Sequence, residues 1–524
     1  WNLLHNIESN GKECRVGSRI HFDLSLKKTK TDLLMRSAAP RLPELLRPVL
    51  RPQEYEVTVV RSEAGTSNRL TSLPSLSLER RRPQIGSPSV VVEPTVCYQV
   101  FLGFGGSFTE ASAEVFKQLG PAQQDHVIDA YFREDTGLGY RLGRIHMNSC
   151  DFSRGNWSCC ESEDMELRAF SVERYRDSIL PLLRRAAQVV PGRGRLSLIA
   201  SPWSPPAWMK DSGRMCLGGK LRPECRAAWA KHFVLFAQAL EEEGFPLWAF
   251  TVQNEPEAIT PWENCLFSAE AERDFLRDHL GPTLKAAGLS HVKLIVHDHN
   301  RDSMFQRART LLSDPAASRF IWGLGFHWYG DSRFEAWPDK SGQVCFDNVR
   351  RVHDLKPALH LIMTEACQES SPRLGDWRVG ERYGESIIKD LNNWTEGWVD
   401  WNLILDAEGG PNHVGNHCAA LIHADLATGE LLFQPSYYYM GHFSRYVRPG
   451  ARRVACASNR DALEVTAFLN PDGTLVTIVM NQTEKPIAFW LSRGGNESAK
   501  SQAPAHSITT YTMQAGLAQP SSSL

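Results

Sequence analysis

No run of the sequence approaches the ~18 consecutive apolar residues that a membrane-spanning helix requires. Charge of one sign is also missing. Fifty-eight lysines and arginines nearly balance sixty aspartates and glutamates, so there is no field to draw nucleic acid or an anionic membrane. The twelve cysteines are scattered and include no Cys-x-x-Cys pair, so no structural zinc framework is expected. No Gly-x-Gly-x-x-Gly follows a predicted strand, which argues against a dinucleotide-binding sheet. No secretory leader is visible, but the chain begins at Trp1 rather than Met, so nothing about targeting follows.

What is present is a repeated alternation of apolar strands and amphipathic helices. The stretch around residues 247–256 shows the pattern. It starts apolar and partly β-branched, and it ends in Asn254-Glu255-Pro256. The proline cannot donate a ladder hydrogen bond, so a carboxylate is left at a strand tip. Residues 359–366 repeat the design and end in Glu365. Strands are expected at 102–108, 140–147, 196–203, 247–255, 292–297, 321–329, 359–365 and 398–405. Helical patterns fall between them. Eight such units in one domain predict an α/β fold, a (β/α)₈ barrel with parallel strands. Short strands recur after residue 446, with Asn470-Pro471-Asp472-Gly473 as a hairpin turn. The expected organisation is an arm over 1–54, strands over 55–101, the barrel over 102–446, a β-sandwich over 447–513 and a tail over 514–524. The strands before and after the barrel should complete one accessory antiparallel sandwich, since neither set alone buries a core. A Ser/Pro/Arg-rich loop is expected up to about residue 88.

In such a barrel the catalytic groups stand at the C-terminal ends of the strands. The predicted rim carries Arg144 and Asp151, Trp203, Asn254 and Glu255, His297-Asp298-His299, His327 and Tyr329, Glu365, and Trp401. Carboxylates, amides and indoles together suit a sugar, whose ring offers both C–H faces and hydroxyls. Two glutamates at two strand tips fit glycoside hydrolysis with retention, at a separation of about 5–5.5 Å. Neighbouring residues on a strand alternate faces, so the His297–His299 run is not expected to converge on a metal. No metal or cofactor is expected.

The motifs resemble glycoside hydrolase family 30, and within it the glucosylceramidase (acid β-glucosidase) branch. They include Gly103-Phe104-Gly105-Gly106-Ser107-Phe108, Met147-Asn148-Ser149-Cys150-Asp151-Phe152-Ser153, Gln253-Asn254-Glu255-Pro256, Phe326-His327-Trp328-Tyr329, Thr364-Glu365-Ala366-Cys367 and Val399-Asp400-Trp401-Asn402. They run in order over about 55 to 513; the arm before them resembles nothing in the family. The resemblance implies Glu255 as acid/base and Glu365 as nucleophile. It implies Asp151, Trp203, Asn254, Trp401 and Asn416 around the glucosyl ring, and Arg144, His327 and Tyr329 as support for the nucleophile. A proton-donating Glu255 implies a raised pKa. The implied substrate is a β-glucoside or glycosphingolipid, with glucosylceramide first. A β-1,6-glucanase, β-xylosidase or β-fucosidase, and a non-catalytic carbohydrate-binding barrel, are the alternatives. Peripheral membrane contact is compatible with such a substrate. The resemblance points to a secreted or lysosome-like setting, and the missing leader leaves the cytoplasm open.

Overall fold

Eight parallel strands close into a barrel in chain order: Gly103–Ser107, Leu142–Met147, Ser197–Pro202, Ala249–Thr251, Lys293–Asn300, Ile321–His327, His360–Glu365 and Gly397–Asn402. The last pairs with the first. This computed structural model describes residues 55–190, 196–334 and 343–516. The arm expected over 1–54 lies outside them, as do residues 517–524 of the expected tail.

The helices form for local reasons and dock for apolar ones. In Arg226–Glu242, Trp229, Phe233, Phe236, Ala237 and Leu240 recur at helical spacing and are buried. The helix ends in a hydrogen-bonded reversal. Gly244 takes φ +88° and donates to Glu241 O at 2.9 Å, while Phe245 donates to Leu240 O at 2.8 Å. A residue with a Cβ resists that backbone conformation, which is why glycine stands there. Inside the barrel, Leu142, Ile199, Ala249, Ile295, Ile362 and Val399 form an apolar layer near the strand starts. That layer closes the floor and leaves the opposite rim for polar groups. Gly105 is required by the same crowding: a Cβ there would lie 2.1 Å from the Leu142 carbonyl oxygen.

Beside the barrel, a nine-stranded sheet takes strands from both ends of the chain. Tyr55–Glu63, Thr71–Leu78 and Ser89–Val100 come from the N-terminal side. Six more come from Arg452–Ser458 to Ser507–Gln514. Strand Ser507–Gln514 pairs antiparallel with Tyr55–Glu63. The sheet rolls until its two edges meet, where Glu79 and Ser498 exchange backbone bonds of 3.0 and 2.9 Å. Val57, Val90, Val454, Leu475 and Tyr511 fill its interior.

Two expectations need correction. Thr71–Leu78 is a strand, not part of a loop. It makes a hairpin with Tyr55–Glu63, and Pro74 is tolerated because this is the last strand of the sheet, with a register shift opposite it. The eighth barrel strand stops at Asn402. Ile404–Asp406 instead opens a separate three-stranded sheet with Ile422–Asp425 and Glu430–Phe433.

His442 joins the two bodies from the helix Pro435–Ser444. Thr510 spends its hydroxyl proton on His442 O at 2.8 Å, so His442 Nδ1 donates to Thr510 Oγ1 at 2.9 Å and Nε2 accepts from Ser62 at 2.9 Å. Burial, then the charges of Arg445 and Arg61, lower its pKa to about 3. As pH falls below the ordinary histidine value, the unfolded chain takes the proton first. The stability held by neutral His442 is therefore present near neutrality and lost on acidification, by about 3 kcal/mol near pH 4.5. Thermal unfolding of wild type and His442→Gln between about pH 7 and 4.5 tests this. The wild-type midpoint should fall further than the variant's.

Candidate active site

One buried cation organises the rim. Arg144 lies in the second strand with no exposed surface. Its Nη1 bonds the Glu365 carboxylate. Its Nη2 donates to Asn254 Oδ1 at 2.7 Å and to Asp298 Oδ2 at 3.0 Å, and its Nε donates to Ser201 Oγ at 3.0 Å. Only a guanidinium has enough fixed donors for four neighbours. It also lies over Trp203, 4.8 Å from the ring centroid, and within 5.5 Å of the Trp401 centroid.

The two glutamates have different settings. Glu365 ends the seventh strand, bonded to Arg144 on one oxygen and accepting from the Tyr329 hydroxyl at 2.9 Å on the other. Glu255 lies beyond the fourth strand, which ends at Thr251 rather than continuing to 255. The backbone is pinned there by Asn254 N–H to Pro202 O at 2.8 Å and Glu255 N–H to Asp298 O at 2.9 Å. Glu255 takes φ 44°, a strained conformation for a residue with a side chain. Its Oε1 is 3.2 Å from His327 Nδ1 and 3.7 Å from His299 Nδ1. The same His327 nitrogen is 3.9 Å from Glu365 Oε1. Both carboxylates thus flank one imidazole nitrogen, which excludes the separation of about 9 Å found in the widest inverting sites.

Electrostatics corrects one expectation. Burial pushes the Glu255 carboxyl up, but the neighbouring imidazoles of His299 and His327 reverse this and hold it well below the usual range. The expected rise counted burial and the partner carboxylate and left out two imidazoles. His327 moves the other way. Burial opposes its charge, but Glu365, Asp298 and Glu255 together raise it to about 9. Asp298 is held below the ordinary carboxylate range, because Arg144 and His327 outweigh its burial.

The rim surrounds a cavity of about 470 Å³. Asp151, Trp203, Glu255, Tyr329, Glu365, Trp401 and Asn416 line it. Arg144, Asn254 and His327 reach it through the residues they bond. The Trp203 and Trp401 rings stack, with centroids 5.1 Å apart and planes inclined by 23°. Asp151 Oδ2 accepts from Asn416 Nδ2 at 2.9 Å. Burial, aided by the charges of Glu365, Glu263 and Glu255, outweighs that bond and pushes Asp151 well above its usual pKa. At the mouth, Ile259 is 63% exposed and lines the cavity with Pro261 and Trp262. Two other side chains of the eighth strand face away from the cavity: Asp400 accepts from Tyr383 at 2.7 Å, and Trp398 Nε1 donates to Asp390 at 3.2 Å.

Two residues named on the predicted rim had been given no role. Asp298 bonds Arg144, His327 and Thr364 at the centre of the network, and His299 lines the cavity. Strict alternation would send them to opposite faces. The fifth strand instead carries a bulge between His297 and His299, with φ 74° at His297 and 48° at Asp298. Asp298 turns to Arg144 and His299 to Glu255, while His297 Nε2 lies 3.0 Å from Asn300 O. Cys367 and Cys418 also line the cavity, and no sequence pattern marked Cys418.

Comparison with known proteins agrees with this architecture. Residues 101–447 match the glycosyl hydrolase family 30 TIM-barrel domain, and 450–511 match the family 30 beta sandwich domain. The chain is 35% identical over 439 residues to the lysosomal acid glucosylceramidase of Mus musculus, covering 80% of this chain and 82% of that one. The crystal structure of SrfJ from Salmonella typhimurium superposes with a TM-score of 0.82 at 32% identity, over 88% of this chain and 99% of that one. The endo-β1,6-glucanase BT3312 superposes with a TM-score of 0.77 at 26% identity, over 88% and 99%.

Arg144→Met should leave Asp298 and Glu365 buried without their guanidinium partner. The expected loss is about 3–5 kcal/mol of stability, read by urea denaturation. Asp298→Asn, which removes one of the anions that Arg144 balances, should recover part of it in the double variant.

Proposed function

The chain belongs to glycosyl hydrolase family 30, and on that premise we propose that it cleaves a β-glucoside with retention, through a covalent glucosyl ester on Glu365. The observation that carries this reading is the unequal setting of two neighbouring carboxylates. Glu365 is clamped by Arg144 and Tyr329, which fixes the direction of its carboxyl oxygens toward the cavity, as a nucleophile requires. Glu255 faces two imidazoles, those of His299 and His327. In the first step Glu365 attacks the anomeric carbon while Glu255 protonates the departing oxygen. In the second, ionised Glu255 deprotonates the incoming water. The ionised form favoured by His299 and His327 is the one the second step uses. In both steps His327 Nδ1, 3.2 Å away, keeps its own proton and stands beside Glu255 as a fixed cationic neighbour.

The stacked indoles and the Asp151–Asn416 pair would hold the sugar ring, and Asn254 would bond its 2-hydroxyl. Glucosylceramide is the favoured substrate. The apolar mouth at Ile259, Pro261 and Trp262 suits a lipid leaving group, and the mouse relative is named a glucosylceramidase. A β-1,6-glucan is the second reading, favoured by the likeness to BT3312.

Azide separates the roles of the glutamates. With dinitrophenyl β-glucoside, which needs no protonation to depart, Glu255→Ala should be rescued by azide and yield the β-glucosyl azide. Glu365→Ala should yield the α-azide if any. The reverse assignment of anomers would exchange the two roles.

For the leaving group, sugar and ceramide release from glucosylceramide should be measured beside glucose release from β-1,6-glucan. Ile259→Asp should raise KM for the lipid several-fold while leaving that for aryl glucosides near wild type. Equal effects on both would argue against the mouth as the lipid side.

A further inference from the structure

Glu255, His299 and His327 come from three neighbouring strand ends, and one ligand atom from each lies within 4.8 Å of the others. We propose that these three side chains bind one divalent transition-metal ion of the zinc class, and that the bound ion withdraws Glu255 from catalysis. The second half rests on the reading of Glu255 as the acid/base; the first does not.

Geometry comes first. Glu255 Oε1 is 3.2 Å from His327 Nδ1 and 3.7 Å from His299 Nδ1. Ligand atoms around a tetrahedral zinc ion, at bonds of about 2.0–2.1 Å, stand about 3.3 Å apart. One edge of the tetrahedron is therefore already at length and a second is within a few tenths of an ångström. The third closes by rotation of the His299 ring. That ring has reason to move, because its Nδ1 is buried with no hydrogen-bond partner among the described residues, an arrangement that costs free energy. The cavity supplies the open fourth position.

The surroundings are also those of a metal ligand. His327 Nε2 is 3.2 Å from Asp298 Oδ1, and Asp298 is fixed by Arg144 and by Thr364 at 2.6 Å. A carboxylate on the far nitrogen fixes the tautomer and aims the other nitrogen, Nδ1, as a ligand. Charge agrees. Arg144 offsets one of the three carboxylates Asp298, Glu365 and Glu255, and a divalent ion offsets the other two. Two imidazoles and one carboxylate select zinc and its neighbours over magnesium or calcium, which prefer all-oxygen sites. With Glu255 Oε1 on the metal, no carboxyl remains to protonate a leaving group.

The test uses the whole protein after treatment with a chelator. Zn²⁺ is titrated calorimetrically, Co²⁺ is titrated by absorption, and initial rates are measured on an aryl β-glucoside in buffered Zn²⁺. The expected result is one ion per chain, cobalt ligand-field bands without thiolate charge transfer, and inhibition that EDTA reverses. His299→Asn should weaken both binding and inhibition by more than about tenfold. Absence of binding overturns the proposal. So does a thiolate band, or affinity unchanged in His299→Asn, since either would put the ion on cysteines such as Cys367 and Cys418. If His299→Asn does not fold, the cobalt spectrum of the unsubstituted protein decides. Stoichiometric binding without inhibition would overturn the second half and count against Glu255 as acid/base. A chain that cleaves no β-glucoside, yet binds the ion, would refute the proposed activity and leave the site standing.

Discussion

The rim depends on the guanidinium of Arg144. Taking that charge out of water costs several kcal/mol, and so does each carboxylate around it. The arrangement holds because the desolvated charges compensate one another. Arg144 serves Glu365, Asp298 and Asn254 through separate donors, and Asp298 passes the interaction on to His327, which reaches Glu255. The chain of contacts joins the second, fifth, sixth and seventh strands with the segment after the fourth. A closed barrel with an apolar floor of Leu142, Ile199, Ala249, Ile295, Ile362 and Val399 is stiff enough to hold them in register. A lysine in place of Arg144 would serve as a point charge and could not satisfy the same acceptors in one plane.

Backbone strain collects at the same rim. Asn148, Glu255, His297 and Asp298 all have positive φ; the first two follow barrel strands, and the last two form the bulge of the fifth. Such conformations cost of order 1–3 kcal/mol each and persist where the surroundings over-determine them. Here the surroundings are visible. Asn148 N–H donates to the Tyr175 hydroxyl at 2.9 Å, His297 N–H to Glu272 Oε1 at 3.0 Å, and Glu255 N–H to Asp298 O at 2.9 Å. The bonds at His297 and Glu255 hold residues whose neighbours, Asp298 and Asn254, carry side chains to Arg144.

This explains what was legible in the sequence. The barrel was readable because strand and helix periods alternate eight times, and Glu255 and Glu365 because each closes an apolar run. The shared sandwich followed from counting strands too few to bury a core on either side. Asp298 and His299 were not assigned because the argument used an ideal period of two, and a bulge adds one residue that resets the facing. The strand Thr71–Leu78 was hidden by its serines and Pro74, which only an edge position tolerates. Asn416 and Cys418 sit in a loop far along the chain. Residue type alone did not bring them to the cavity; the family resemblance supplied Asn416, and nothing supplied Cys418.

The charge pattern ties the two halves of the proposed reaction together. The charge of Glu365 is the largest influence holding the proton on His327, whose pKa stands at about 9. Formation of a glucosyl ester consumes that charge. In the same event Glu255 gives up its proton and becomes an anion 3.2 Å from His327 Nδ1. One anion beside the imidazole is replaced by another, so His327 stays charged across the step while its electrostatic partner shifts from Glu365 to Glu255. A cationic His327 then keeps Glu255 ionised, as the base of deglycosylation must be. When water attacks and Glu255 takes its proton, Glu365 is freed and recovers the imidazolium. The net charge around His327 is thus conserved through both steps, so neither requires an extra charge to be desolvated inside a closed site, where that would be most costly.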